Sequence, residues 1–386
     1  MQNSEILVEQ LNTLGQETGV EQEAAEESER ITEPFDPDYI DVVTRQMTVD
    51  LLLSRTASKM IDLQPDFQRR WGVWDSKRQS RLIESLLLRI PLPVIYAAED
   101  DDERWEIVDG IQRLSTITRF IRPDIIAEQP LILSGLEYLN DYEGKGFLEL
   151  TQRLQMRLRE AELIIHLIRK GTPPEVKFNI FARINTGGLA LWPQELRHAI
   201  TPGKARDILE EWANLPEFIE ATDESVRPIR MVDRELVLRF IAFYFSGVKA
   251  YRKPDMDGFL IDAMKLINAT EDDVLANVRE RFVRAMTTSR AIFGNDAFRK
   301  RFSPNGARFP INKAVFEALS VNLARLSDTK LTSLVEYSAQ VREGFIKLCN
   351  DRSFETAISQ GTGDIRKVNL RFDAIQNMLK TVSEDA

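Results

Sequence analysis

Apolar residues recur along the chain at two spacings, and each change of spacing marks a change of element. Between Lys77 and Ile90, the residues Leu82, Ile83, Leu86, Leu87 and Ile90 fall on one helical face. Asp75 stands just ahead as an N-cap, and Pro91 and Pro93 stop the helix. The run LPVIYAAE reads as a strand, EDDDE as a turn, and RWEIVD as the return strand of a hairpin. Asp109-Gly110 breaks the pattern, and IQRLSTITRFI resumes it at helical spacing. Upstream, RQMTVDLLLSRTAS predicts a short strand and a helix starting near Thr48, and IDLQPDFQRRWGVW a strand followed by an irregular aromatic loop. Downstream, AELIIHLIR is an apolar strand. EVKFNIFARIN is a helix closed by Thr186-Gly187-Gly188, where glycine suits a helix end needing positive φ, and another helix covers Pro193–Ile200. From about residue 204 the signals are nearly all helical, with no clean repeat period.

This pattern predicts an α+β protein: a mixed α/β core over residues 39–200 and a mainly helical domain over 201–386. Residues 1–38, rich in Glu and Gln and poor in aromatics, are expected to form an acidic disordered tail, with a weak helical tendency near Ile6–Leu14.

Charge sharpens that division. The net charge is −10, and residues 1–40 contain eleven acids against the single base Arg30, so the remainder sums to zero. The acidity belongs to the tail and says little about the folded surface. Composition excludes several chemistries. With Cys349 as the sole cysteine and His166 and His198 as the only histidines, no disulfide framework and no four-ligand Cys/His zinc site can form, and a His-metal finger nuclease finds no suitable spacing. The P-loop pattern is missing. No run of about 18 apolar residues suggests a membrane span, and MQNSEILVEQ lacks the features of a signal peptide, so a cytoplasmic protein is expected.

The strongest candidate for chemistry is the strand–turn–helix at Trp105–Ile121, with Asp109-Gly110 at the turn and Gln112 and Arg113 in the first helical turn. Such a turn presents free N–H groups at the positive end of the helix dipole. Glycine admits a ligand close to the backbone, Arg can grip a phosphate, and Asp can hold a metal or orient water. The same residues also suit an ordinary N-cap and turn. Phe67, Trp71 and Trp74 beside Gln68, Arg69 and Arg70 could stack a base or simply pack a loop. Arg299, Lys300 and Arg301, set among Phe298, Phe302 and Phe309, are a candidate nucleic-acid contact or a solvated basic loop. His166, mid-strand in an apolar run, reads as a satisfied core residue.

The stretch from DFQRRWGVW through VDGIQRLSTITRF closely resembles the DGQQR-motif family, the N-terminal domain of GmrSD-type modification-dependent restriction systems. FNIFARINTGGLALWPQELRHAI resembles that family's second block, and MVDRELVLRFIAFY and INKAVFEAL are weaker echoes. The resemblance runs from roughly residue 45 to 320. It implies a ParB/sulfiredoxin-like core followed by helices, and NTP binding and hydrolysis at the motif, which falls here on Asp109, Gly110, Gln112 and Arg113. The upstream pair falls on Gln68 and Arg69, and the second block on Asn185, Gly187, Gly188, Gln194, Glu195 and Arg197. There are two departures. Ile111 replaces the motif's third-position Gln, which impairs hydrolysis if that Gln serves the chemistry and changes little if it packs inward. The HNH-type nuclease domain of many family members has no counterpart here.

The resulting expectation is a nucleotide-binding, NTP-hydrolysing module of a bacterial phage-defence system, with Asp109, Gln112 and Arg113 as catalytic candidates, Mg2+ at Asp109, and no structural cofactor. The alternative is a non-enzymatic nucleotide or DNA sensor that recruits a separate nuclease or effector, and the third reading is a ParB-like nuclease. Expected partners are a nucleoside triphosphate, DNA, the separate effector and further copies of the chain, with no membrane.

Overall fold

The computed structural model describes residues 9–11, 17–22, 41–63, 74–100, 102–173, 176–178, 180–181 and 192–384. The chain divides into two compact units, one of Pro34–Ile200 and one of Met1–Glu33 with Thr201–Ala386.

The first unit is built on a five-stranded sheet. Its strands are β3 (Val42–Thr48), β4 (Ile61–Asp62), β5 (Ile95–Glu99), β6 (Trp105–Asp109) and β7 (Glu162–Ile168), in the order β3-β7-β5-β6-β4. β5 pairs antiparallel with β6 as the predicted hairpin, and parallel with β7 on its other side. Alternation decides which residues turn inward. Ile95, Ala97, Trp105, Ile107, Leu163, Ile165 and Leu167 share one face, and the apolar sides of α1 (Val49–Ala57), α2 (Ser76–Leu87), α3 (Ile111–Ile121) and α4 (Gln152–Arg159) complete the core against it. Asp75 caps α2 as its position suggests, its carboxylate accepting from Arg78 N–H at 2.7 Å. Thr48 caps α1. His166 lies on the opposite, more open face, half-buried rather than in the core, with Nδ1 2.9 Å from Thr44 Oγ1 and its ring against Tyr96. A last helix, α5 (Pro193–Ile200), packs on β6.

The second unit is helical, with α6 (Ala205–Ala213), α7 (Pro216–Ala221), α8 (Val232–Ser246), α9 (Met256–Ala269), α10 (Asp272–Phe293), α11 (Lys313–Ala324), α12 (Asp328–Glu336), α13 (Ser338–Cys349), α14 (Arg352–Ser359) and α15 (Ile365–Glu384). α11 is buried along its whole length, so its polar residues need internal partners. Glu317 takes them from Arg239 of α8 and Arg371 of α15, while Lys313 pairs with Glu235. No described helix is long and apolar enough to cross a membrane.

Two described segments of the acidic leader, residues 9–11 and 17–22, are ordered where disorder is expected. β1 (Glu9–Leu11) and β2 (Glu17–Glu21) pair antiparallel and belong to the helical unit. Composition predicts disorder because carboxylates resist burial. Here two of the acids find individual partners, Glu21 in Lys300 and Glu9 in the Gly19 amide. Of the stretch Ile6–Leu14 where a helical tendency is expected, Glu9–Leu11 is a strand and the other positions lie outside the described residues.

Candidate functional site

β6 ends at Asp109, and the β5–β6 pairing slips there. Ala97 faces Ile107, but Tyr96 faces Asp109. A one-residue irregularity of this kind re-aims the side chains beside it. The chain then turns through Gly110 at φ 96°, ψ 8°, and α3 begins with no side chain capping it. Glycine is required at this turn. A Cβ would lie 2.8 Å from Ile95 Cγ1 and 3.1 Å from Arg113 Nη2, and the positive φ strains any L side chain. The first amides of α3 have no intrahelical acceptor and point past Gly110 at the positive end of the helix dipole.

Arg113 does not present a free guanidinium at this turn. It is 8% exposed, its Nη2 donates to Asp109 Oδ2 at 2.9 Å, and its Nη1 donates to Pro93 O and, at 3.3 Å, to Val94 O. The guanidinium therefore ties the strand end to the segment entering β5 and fixes one carboxylate oxygen of Asp109. The other oxygen, Oδ1, has no partner among the described residues, and the Asp109 side chain is 37% exposed. The Pro93 and Val94 carbonyls escape sequence reasoning, although Pro91 and Pro93 mark a stretch whose carbonyls lie outside a regular ladder. Ile111 faces inward, 4% exposed within the core cluster, so its side chain takes no part in the turn. Gln112 Oε1 accepts the Trp74 amide at 3.4 Å, bringing the end of the aromatic segment to the start of α3. Arg78 lies over the Trp74 ring, 4.6 Å from its centroid.

The second candidate block reaches the same strand through α5. Gln194, Glu195, Arg197 and His198 are all buried. Glu195 Oε2 accepts the Trp192 amide at 2.7 Å, and Arg197 Nε donates to Gln194 Oε1 at 2.9 Å. Gln194 Nε2 has no acceptor among the described residues, an uncommon state for a buried amide. Gln68, Arg69, Phe67 and Trp71, together with Asn185, Gly187 and Gly188, lie outside the described residues. Among the described residues, no group of three or more His, Cys, Asp or Glu could hold a metal ion.

Residues 50–201 match the family model described as GmrSD restriction endonuclease, N-terminal domain. This segment is similar to a GmrSD-type N-terminal domain. The match spans both the Asp109–Arg113 turn and the Gln194–Arg197 helix, and stops short of MVDRELVLRFIAFY and INKAVFEAL in the helical unit. No curated protein and no solved structure matches the chain.

The basic cluster expected to meet nucleic acid is turned inward. Arg299 is 3% exposed and bonds Asn295 O, Phe309 O, Thr222 O and Ser225 Oγ. Burial, with Arg308 nearby, pushes its guanidinium down to about 10. Lys300 is 1% exposed against Glu21 and Ser359. Arg301 closes a local loop onto Gly306 O and Pro304 O, with Asp296 3.3 Å away. The clustering in sequence is real, but the carbonyls and carboxylates of the fold already use these donors.

Proposed function

We propose that the GmrSD-type domain binds a nucleoside triphosphate at the Gly110 turn and hydrolyses it, as the nucleotide-handling module of a bacterial phage-defence system of restriction type. The observation that carries this reading is the uncapped start of α3 behind a left-handed Gly110, with the half-open Asp109 carboxylate beside it. Phosphate oxygens would accept from the first-turn amides, an arrangement helix N-termini favour. Asp109 Oδ1 would orient the attacking water or bind the nucleotide's Mg2+. Arg113 serves as a positioning residue, holding Asp109 by its second oxygen, and its role as a phosphate clamp gives way to that geometry. Gln112 holds Trp74 at the same turn, within reach of a base.

The test is phosphate release from ATP, GTP, CTP and UTP with Mg2+, run beside Asp109→Ala. Turnover lost in the variant supports hydrolysis. Absence of turnover together with nucleotide-induced thermal stabilisation favours the adaptor reading, in which the domain binds nucleotide and recruits a separate effector. That second reading draws on the engaged guanidinium of Arg113, which leaves few side-chain donors for a transition state among the described residues. The nuclease reading has no such observation behind it.

A further inference from the structure

Residues 17–21 fill a slot in the helical unit that recognises them as a peptide would be recognised. Beyond its pairing with β1, β2 is bonded to residues 225–227 and to Ile311. Arg227 N–H donates to Thr18 O at 3.0 Å, Ile311 N–H to Gly19 O at 3.0 Å, and Glu21 N–H to Ile311 O at 2.8 Å. Three side-chain requirements accompany the backbone pairing. At Gly19, with φ +82°, a Cβ would lie 1.8 Å from Ser225 O, so the slot excludes any side chain there. Val20, like Thr18, is 0% exposed. The Glu21 carboxylate, 5% exposed, accepts from Lys300 Nζ at 2.6 Å and Asn312 Nδ2 at 2.9 Å. Lys300 is held in turn by Ser359 Oγ at 2.6 Å.

Backbone pairing along an edge combined with selective positions for alternate side chains is how strand-addition sites bind extended peptides. We propose that the helical unit is a strand-binding module for extended peptides of the form Thr-Gly-apolar-Glu, and that residues 17–21 occupy it in cis. The acid at the last position answers Lys300 and Asn312, and the glycine answers the Ser225 carbonyl. Tethering gives the cis strand a high effective concentration, on the order of millimolar, so the slot stays closed to dilute competitors until that strand is weakened. The module is independent of the Asp109 turn and stands or falls without it.

The test uses the full chain and a fluorescein-labelled peptide of residues 9–22, read by anisotropy. The wild-type chain should take up no peptide at micromolar concentration. Gly19→Ala in the full chain, whose own strand cannot seat, should bind the wild-type peptide saturably. A peptide carrying Gly19→Ala or Glu21→Gln should bind that chain at least about 10-fold more weakly, a difference of ~1.4 kcal/mol. Should the Gly19→Ala chain be unstable, unlabelled wild-type peptide should raise its Tm and the Gly19→Ala peptide should not. A folded Gly19→Ala chain that binds no peptide, an unstable one that no peptide rescues, or equal binding of all peptides to wild type and variant would each overturn the proposal.

Discussion

Gly110 and Ile111 are chain neighbours with opposite demands, since one must lack a side chain and the other buries its own in the core. Restoring the family's residue by Ile111→Gln should therefore put an amide into an apolar setting and cost about 1–3 kcal/mol. Urea unfolding should show the lowered midpoint, and phosphate release should not rise. A variant that gained turnover at no cost in stability would place position 111 in the site instead. Gly110→Ala should cost about 2 kcal/mol through its backbone conformation alone. It should also loosen the Asp109–Arg113 pair, so nucleotide-induced thermal stabilisation should fall more than the loss of fold explains. Arg113→Lys separates charge from geometry, because an ammonium cannot reach Pro93 O, Val94 O and Asp109 together. The lost carbonyl bonds, with Asp109 partly open to solvent, set an expected cost of about 1–2 kcal/mol, read as a drop in Tm with the charge retained.

At the scale of elements, helical spacing and turn residues made α2, the β5–β6 hairpin, α3 and α5 legible, because each buries one face under local rules. The site was legible as far as its backbone: Asp-Gly after an apolar strand predicts an open helix start. What Arg113 grips was not, since its acceptors come from residues 93 and 94 through tertiary folding. The same limit applies to Glu84 on α2, an ordinary surface acid by sequence. It is buried, and its carboxylate receives the amides of Glu137, Tyr138 and Leu139, at 2.7 Å from Tyr138 and 2.8 Å from Leu139, anchoring that loop. Burial pushes the carboxyl up, but the amides of Glu137, Leu139 and Tyr138 and the Arg81 cation together outweigh it and hold it below its ordinary value of 4.5. A group depressed on folding contributes stability above its unfolded pKa and loses it as pH falls through the folded one. Wild type should thus lose stability below about pH 4.5 more steeply than Glu84→Gln. Parallel curves in urea titrations across that range would detach the loop from Glu84 ionisation.

For the whole molecule, the charges hidden inside the helical unit were the least legible feature, because composition cannot tell a solvated charge from a paired one. MVDRELVLRF and INKAVFEAL set charged residues among apolar ones, and Glu235, Arg239, Lys313 and Glu317 are all buried. Glu317 joins three helices, with Arg239 Nη1 3.1 Å from Oε2 and Arg371 Nε 3.0 Å from Oε1. Ion pairs of this kind repay their desolvation only while complete. Glu317→Gln keeps the shape but leaves two guanidinium groups facing a neutral amide, so it should destabilise the chain by about 3–5 kcal/mol. Replacing Glu317, Arg239 and Arg371 together with apolar residues of similar volume should cost less than that single change, because Glu235, which also pairs with Arg239, keeps Lys313 and no charge is left stranded. Urea unfolding of the single and triple variants measures both. A triple variant worse than Glu317→Gln would mean that the network adds net stability beyond holding α8, α11 and α15 in register. The predicted order would mean that its charges act chiefly to specify which helices meet.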